Sequence, residues 1–242
     1  HINKPFTSFT LKKIVFTVLL LIAVGLSMYF SVRVVSRTPF EYNEVGDGTY
    51  EFVKFNNTGY IKELTIDYAV TIETDKSNPD AATNFTLVKD ETKPISVIPE
   101  FCFNCDENVE IIYIGKDVKE IDGKAFFTCR TLKQIIVDEE NEYYCDIDGV
   151  LYNKDKTELI RCPGALSGEY TVPDTVNSIR DNAFYYCLNL TELNIPDSVT
   201  YIGNDCFSWC KSLTDIRLPE GIVYLHESLF SFCISLKGIK IP

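Results

Sequence analysis

Histidine is nearly absent from this chain of 242 residues: His1 and His226 are the only two. No nucleophile–base–acid set can be assembled around His226. No G-x-G-x-x-G, phosphate-binding loop or H-E-x-x-H segment occurs. The sequence therefore points away from an enzyme and implies no cofactor. Zinc has little support, because the one C-x2-C pair, Cys102 and Cys105, does not recur at finger spacing. Positive charge is also scarce. Five of the 23 Lys and Arg lie in residues 1–37, which hold no Asp or Glu. The remainder carries 18 against 35, a net charge of −17. So acidic a surface argues against nucleic acid and against lying flat on anionic lipid.

Charge is missing altogether from residues 14–32. As a helix this run would span about 28 Å, enough to cross a hydrocarbon core. Lys4, Lys12 and Lys13 precede it; Arg33 and Arg37 follow it. A cleaved signal peptide is the competitor, but the run is long for a signal core and no A-x-A site follows promptly. The expectation is an uncleaved transmembrane signal-anchor helix over about 14–35, within an N-terminal segment 1–37. The flanking charges place the rest of the chain outside the membrane, at the cell surface.

What the sequence has in abundance is a period. Ile179, Ile202 and Leu225 are 23 apart. So are Phe184, Phe207 and Phe230; Cys187, Cys210 and Cys233; and Leu190, Leu213 and Leu236. Leu193, Ile216 and Ile239 keep the same register, as do Pro196, Pro219 and Pro242. Upstream, Ile121, Phe126, Cys129, Leu132 and Ile135 fit the columns, and Ile98, Phe103, Val109 and Ile112 fit one copy earlier. A period of 20–29 residues with spaced Leu and Ile signals a leucine-rich solenoid, whose coils bury their apolar faces only on one another.

Within a coil, Leu193, Asn194 and Ile195 alternate as a strand does, and Pro196 ends it. The spacing of Ala183, Phe184, Cys187 and Leu190 suits one short helical turn. The fold class expected is α/β, strand-rich. One unit, over 138–176, is enlarged by 12 residues. It holds two apolar runs around a polar 153–157 turn, a β-hairpin signal.

These residues resemble the BspA-like leucine-rich repeats, with a pattern near IP-x-SV-x-x-IG-x-x-AF-x-x-C-x-x-L-x-x-I-x-IP. Here Ile195-Pro-Asp-Ser-Val-Thr-Tyr-Ile-Gly203 carries it, with Cys206-Phe-Ser-Trp-Cys210 and Leu213-Thr-Asp-Ile-Arg-Leu-Pro219. The enlarged unit looks like that family's hairpin variant. Cys206 departs at the usual Ala, and Leu225 with His226 at the usual Ile-Gly. The resemblance covers 95–242. It implies a protein-binding module of the surface or secreted kind, and it does not carry over a partner.

Residues 38–94 lack clean repeats and are expected to cap the solenoid, although Ile61, Leu64 and Ile66 share the spacing of Leu190, Leu193 and Ile195. Pro242 closes a repeat strand without a polar cap, so further protein or another surface is expected over it. Cys129, Cys187, Cys210 and Cys233 stack into one column, and the simplest reading is a buried ladder of free thiols. Cys145 and Cys162 flank the hairpin and are the disulfide candidates in an oxidising compartment. Asp138, Glu139, Glu140 and Glu142 with Asp146 and Asp148 read as a solvated acidic loop rather than a calcium site. Asn56, Asn84 and Asn189 begin N-x-[ST] triplets, glycan acceptors if the source is eukaryotic.

Two stripes are candidate partner surfaces. Ile111, Tyr113, Gln134 and Ile136 are outward strand positions, three of them apolar where solvent would favour polar groups. The chain's own cap or the hairpin could equally cover them. Tyr186, Trp209 and Phe232 form a second column, each two residues after a core Phe; packing between adjacent coils is the plainer reading. The function expected is a membrane-anchored, leucine-rich-repeat protein-binding module for adhesion or recognition. The alternative is a structural subunit of a larger membrane assembly.

Overall fold

A coil of 23 residues is too short to satisfy its own backbone, so its N–H and C=O groups bond to the coils beside it. The computed structural model describes residues 40–45, 48–55, 63–74, 85–103, 109–127 and 129–241. The anchor segment 14–35 lies outside them. Among the described residues, no helix is long and apolar enough to cross a membrane. The chain divides into two compact units, 1–39 with 72–88, and 40–71 with 89–242. Of the first, only strand residues 72–74 and 85–88 are described. The second is the solenoid.

Its long wall is a set of parallel strands in register. Glu63–Ile66, Ile111–Ile114 and Gln134–Val137 form one ladder, with Leu64, Ile112 and Ile135 side by side. Ser167–Thr171, Asn189–Asn194, Asp215–Arg217 and Gly238–Lys240 form another, with Tyr170, Leu193, Ile216 and Ile239 aligned. Glu63–Ile66 falls in the segment expected as a cap, yet it is the first rung of the wall. Its in–out alternation matches that of Ile111–Ile114. The opposite wall is made of two-residue strands, including Glu120–Ile121, Ser178–Ile179 and Tyr201–Ile202.

The corner between the walls is not the helical turn expected, and the described residues contain no helix. Tyr185 N–H and Cys187 N–H donate back three residues, to Asn182 O and Phe184 O. The alternate donors, Asn182, Phe184 and Tyr186, go to Asn204 O, Cys206 O and Ser208 O in the next coil. Asn182 and Tyr186 hold left-handed φ of 60° and 64°, which turns every second N–H outward. The fold is thus a strand-rich β-solenoid of leucine-rich-repeat type.

The enlarged unit interrupts this regularity. Val150–Asn153 pairs antiparallel with Glu158–Arg161 on one side and Tyr144–Ile147 on the other. Asp148 and Gly149, with φ of 52° and 80°, make the tight turn of a two-residue hairpin. Val150, Leu151, Tyr152, Leu159 and Ile160 are all buried, because both faces of the sheet are covered. Leu151 and Ile160 belong to the N-terminal core, Val150, Tyr152 and Leu159 to the C-terminal one. The hairpin is a septum between two cores.

At the septum, side chains replace the missing strands. Tyr144 Oη accepts from Ile121 N at 3.0 Å and donates to Lys119 O at 3.1 Å. Arg180 Nη1 donates to Ile121 O at 3.2 Å while its other nitrogens grip both oxygens of Glu158. On the long wall, Ile135 N–H donates to Gly149 O and Val137 N–H to Asp146 Oδ1. The acidic loop is not wholly solvated either: Asn141 at its centre is fully buried and bonds Gly115 O, Val118 O, Tyr143 N and Tyr144 N.

Arg161 is the least expected core residue, at 1% exposure. Its guanidinium donates to Asn182 O at 2.6 Å, Tyr185 O at 2.9 Å and Phe126 O at 3.0 Å, so it ties coils on both sides of the septum. Arg161→Ala would strand three carbonyls, two of them in buried contacts, and open a void. It should lower unfolding free energy by about 3 kcal/mol or more, read as the midpoint in urea. A loss below 1 kcal/mol would mean that these contacts carry little.

Candidate binding surfaces

The corner presents two backbone columns with positive φ. Asn182, Asp205 and Ser228 are 23 apart, with φ of 51–60°. Asn and Asp are the side chains that tolerate the left-handed region best. The second column is Tyr186, Trp209 and Phe232, with φ of 64°, 65° and 60°. A bulky side chain there costs about 1–2 kcal/mol per residue. The first column largely obeys the backbone's preference and the second violates it three times in succession.

Stacking offsets that strain. Tyr186 and Trp209 rings lie 5.1 Å apart at 16°, and Trp209 and Phe232 lie 4.3 Å apart at 22°. The run continues through Tyr185, edge-on to Tyr186 at 4.8 Å, and Phe127, stacked on Tyr185 at 3.9 Å. Arg130 sits over the Tyr186 ring at 4.6 Å and Lys211 over Trp209 at 4.7 Å. Tyr186 and Trp209 are half-buried, and Phe232 is 59% exposed. The sequence marked this column, but not Phe127, Tyr185 or the two cations. Arg130 and Lys211 share a signal, since each directly follows a ladder cysteine.

The other stripe is present but less open. Tyr113 pairs with Ile136, and Ile111 with Gln134. Ile111, Tyr113 and Ile136 are half-buried, and Gln134 is exposed beside the Gly149 turn. Asn189 is exposed on the second ladder; Asn56 and Asn84 lie outside the described residues. His226 lies edge-on to Tyr201 and Tyr224.

The thiols have a defined role. Cys129 Sγ donates to Phe103 O, Cys210 to Phe184 O and Cys233 to Phe207 O, each capping a carbonyl of the coil before. Phe126 O, which would be the next in this series, is taken by Arg161 instead. Cys129, Cys187 and Cys210 are buried; Cys233 is only partly so. Cys145 and Cys162, the disulfide candidates for an oxidising compartment, are both free thiols in this structure. Cys145 points across to Asn153 O on the neighbouring strand, whereas Cys162 faces the core toward Pro163 O, and Cys187 Sγ donates to Pro163 O and Cys162 O. No group of described residues could hold a metal ion.

With this geometry in view, the BspA type leucine-rich repeat region matches residues 53–147 and 167–242, in six copies. The chain belongs to that family. The unmatched gap holds both central strands of the septum. A leucine-rich repeat protein of Eubacterium ventriosum is similar at 31% identity, TM-score 0.58, over 61% of this chain and 40% of that one. One from Bacteroides ovatus is 24% identical, TM-score 0.47, over 84% and 52%. The pneumococcal vaccine antigen PcpA is 16% identical, TM-score 0.48, over 84% and 79%. The chain thus spans well under two thirds of the first of these and about half of the second. No curated protein matches it.

Burial holds Cys102, Cys206 and Cys210 well above the ordinary thiol value of 9.0. In the folded state these thiols keep their protons where the unfolded chain would lose them. Their stabilising share is therefore complete below about pH 9 and is lost as pH climbs through the higher folded values. Burial also raises Tyr152 strongly and brings Tyr170 to about 12, with the same sign. Melting temperature should stay level between pH 7 and about 9, then fall. In native protein at pH 8, Cys145 and Cys233 should alkylate first, and Cys129 and Cys210 only after denaturation. Rapid labelling of Cys210 in folded protein would contradict the ladder.

The strained column makes a second prediction. Phe232 is stacked on one face only, so Phe232→Gly should relieve backbone strain and leave stability within about 1 kcal/mol of the parent. Trp209→Gly loses stacking on both faces and should cost at least about 1 kcal/mol more. Equal melting of the two variants would show that stacking does not hold the column.

Proposed function

We propose that this chain is a single-pass, membrane-anchored module that binds a protein through its repeats, which lie outside the membrane on the cell surface. The observation that carries the binding reading is the aromatic column, where three bulky residues keep an unfavourable backbone, two of them half-buried and Phe232 exposed. Strain retained in this way marks sites held for recognition. Tyr and Trp in a well-packed cluster are the side chains that dominate protein interfaces. Membership of a repeat family whose stacked coils offer long continuous surfaces supports the same reading. The anchor rests on the charge-free run at 14–32. Binding rather than catalysis fits the chemistry at hand, since among the described residues His226 meets the rings of Tyr201 and Tyr224.

Two measurements test this. Protease added to intact cells should remove residues beyond about 38 and leave the N-terminus protected; protected repeats would overturn the topology. A photoreactive phenylalanine replacing Phe232 in the full-length anchored chain should give a discrete protein adduct on illumination. Adducts with lipid alone, or none, would overturn the binding reading.

A further inference from the structure

Resting on that reading, we infer that the corner stripe is built for an acidic peptide segment of the partner. The inference comes from how cations are used across the solenoid. Away from the corner stripe, four of them sit on carboxylates, Lys116 on Glu140, Lys133 on Glu110, Arg180 on Glu158 and Arg217 on Asp197, and Arg161 and Lys154 serve backbone carbonyls. Along the stripe they do not. Arg130, Lys211 and Lys124 each lie over a ring, Tyr186, Trp209 and Phe101 respectively, and none has a carboxylate partner among the described residues. In a chain with 35 Asp and Glu against 23 Lys and Arg, three cations set on the aromatic rings of one corner concentrate positive charge there.

The geometry leaves their donors open. A guanidinium or ammonium on a ring face spends its positive charge on the ring quadrupole but keeps N–H groups free at its rim. The ring faces of Tyr186 and Trp209 are covered by one another and by the cations, so a sugar ring could not lie flat on them. What faces outward is ring edge, which carries partial positive charge. Edges and cations together make a positive, apolar strip on an acidic body. A carboxylate-bearing peptide with aromatic or aliphatic neighbours complements it. The chain's net acidity opposes such a partner at long range, but that repulsion is screened beyond about 8 Å at physiological ionic strength.

Trp209 is the chain's single tryptophan and lies at the stripe's centre. Its emission, excited at 295 nm, therefore reads this surface without a label. The full-length chain in detergent is titrated with a random copolymer of glutamate and tyrosine, with polylysine and with heparin. The expected result is a saturable emission change with the copolymer alone. Arg130→Ala combined with Lys211→Ala should weaken that change about tenfold or more while melting stays near the parent's. A double variant that melts lower yet responds normally assigns the cations to stability and overturns the inference. So does a response to heparin alone, which would assign the strip to a polyanionic glycan. Copolymer binding without any change at Trp209 overturns the location. If the Phe232 photo-adduct forms but the copolymer has no effect, protein binding stands and the acidic partner falls; if both fail, both fall.

Discussion

Each coil takes half of its backbone partners from the coil before and hands the other half to the coil after. That exchange is what the rest of the structure depends on. It sets the register of the long wall, where Leu193, Ile216 and Ile239 must align for the ladder to close. It also forbids a helix at the corner, because Asn182, Phe184 and Tyr186 donate onward and cannot donate back along the chain. The septum shows how strict the requirement is. Where no regular coil follows, each face finds a substitute. Asp146 and Gly149 serve the long wall, Tyr144 and Arg180 the short one, and Arg161 the corner. A buried unsatisfied backbone group costs enough that even a guanidinium is brought inside to meet it.

The same exchange shapes the candidate surface at the corner. Backbone geometry at the corner demands left-handed residues at two points per coil. Asn182 and Asp205 answer that demand with side chains suited to it, and Tyr186, Trp209 and Phe232 do not. Stacking at 4.3–5.1 Å is the compensating term. It is a cooperative solution, since each ring needs the next coil's ring beside it.

The columns of Ile, Phe, Cys and Leu were legible because they are core, and core positions repeat with the coil. Phe184 and Phe207 are buried as their spacing demands. The candidate aromatic column was legible because it repeats with the coil, although it is not core. What sequence did not reveal lies where backbone, rather than hydrophobicity, decides. Tyr186 carries no mark of its φ, because nothing about a tyrosine announces a left-handed residue. Arg161 reads as surface by type; the signal that could have placed it was the unbroken apolar run of Leu159 and Ile160 before it and Cys162 after it, typical of a strand covered on both faces. The third septum strand, Tyr144–Ile147, was available from Asp148-Gly149, a strong two-residue hairpin signal. Its polar neighbours Asp138 to Glu142 drew the reading toward a loop.

The septum also bears on which surface suits an extended partner. It splits the long wall into a three-stranded and a four-stranded ladder, so the row of Ile111, Tyr113 and Ile136 does not continue into Glu192 and Asn194. The corner is not split. Phe127 stacks on Tyr185 at 3.9 Å across the enlarged unit, and Arg130 reaches over Tyr186 across the same gap. Arg161 holds the two corners together from inside by bonding Phe126 O and Tyr185 O with one nitrogen. A segment running along the solenoid would meet a broken wall and an unbroken corner. Continuity of surface lets a partner add contacts without re-registering, and the corner alone among the two stripes offers it.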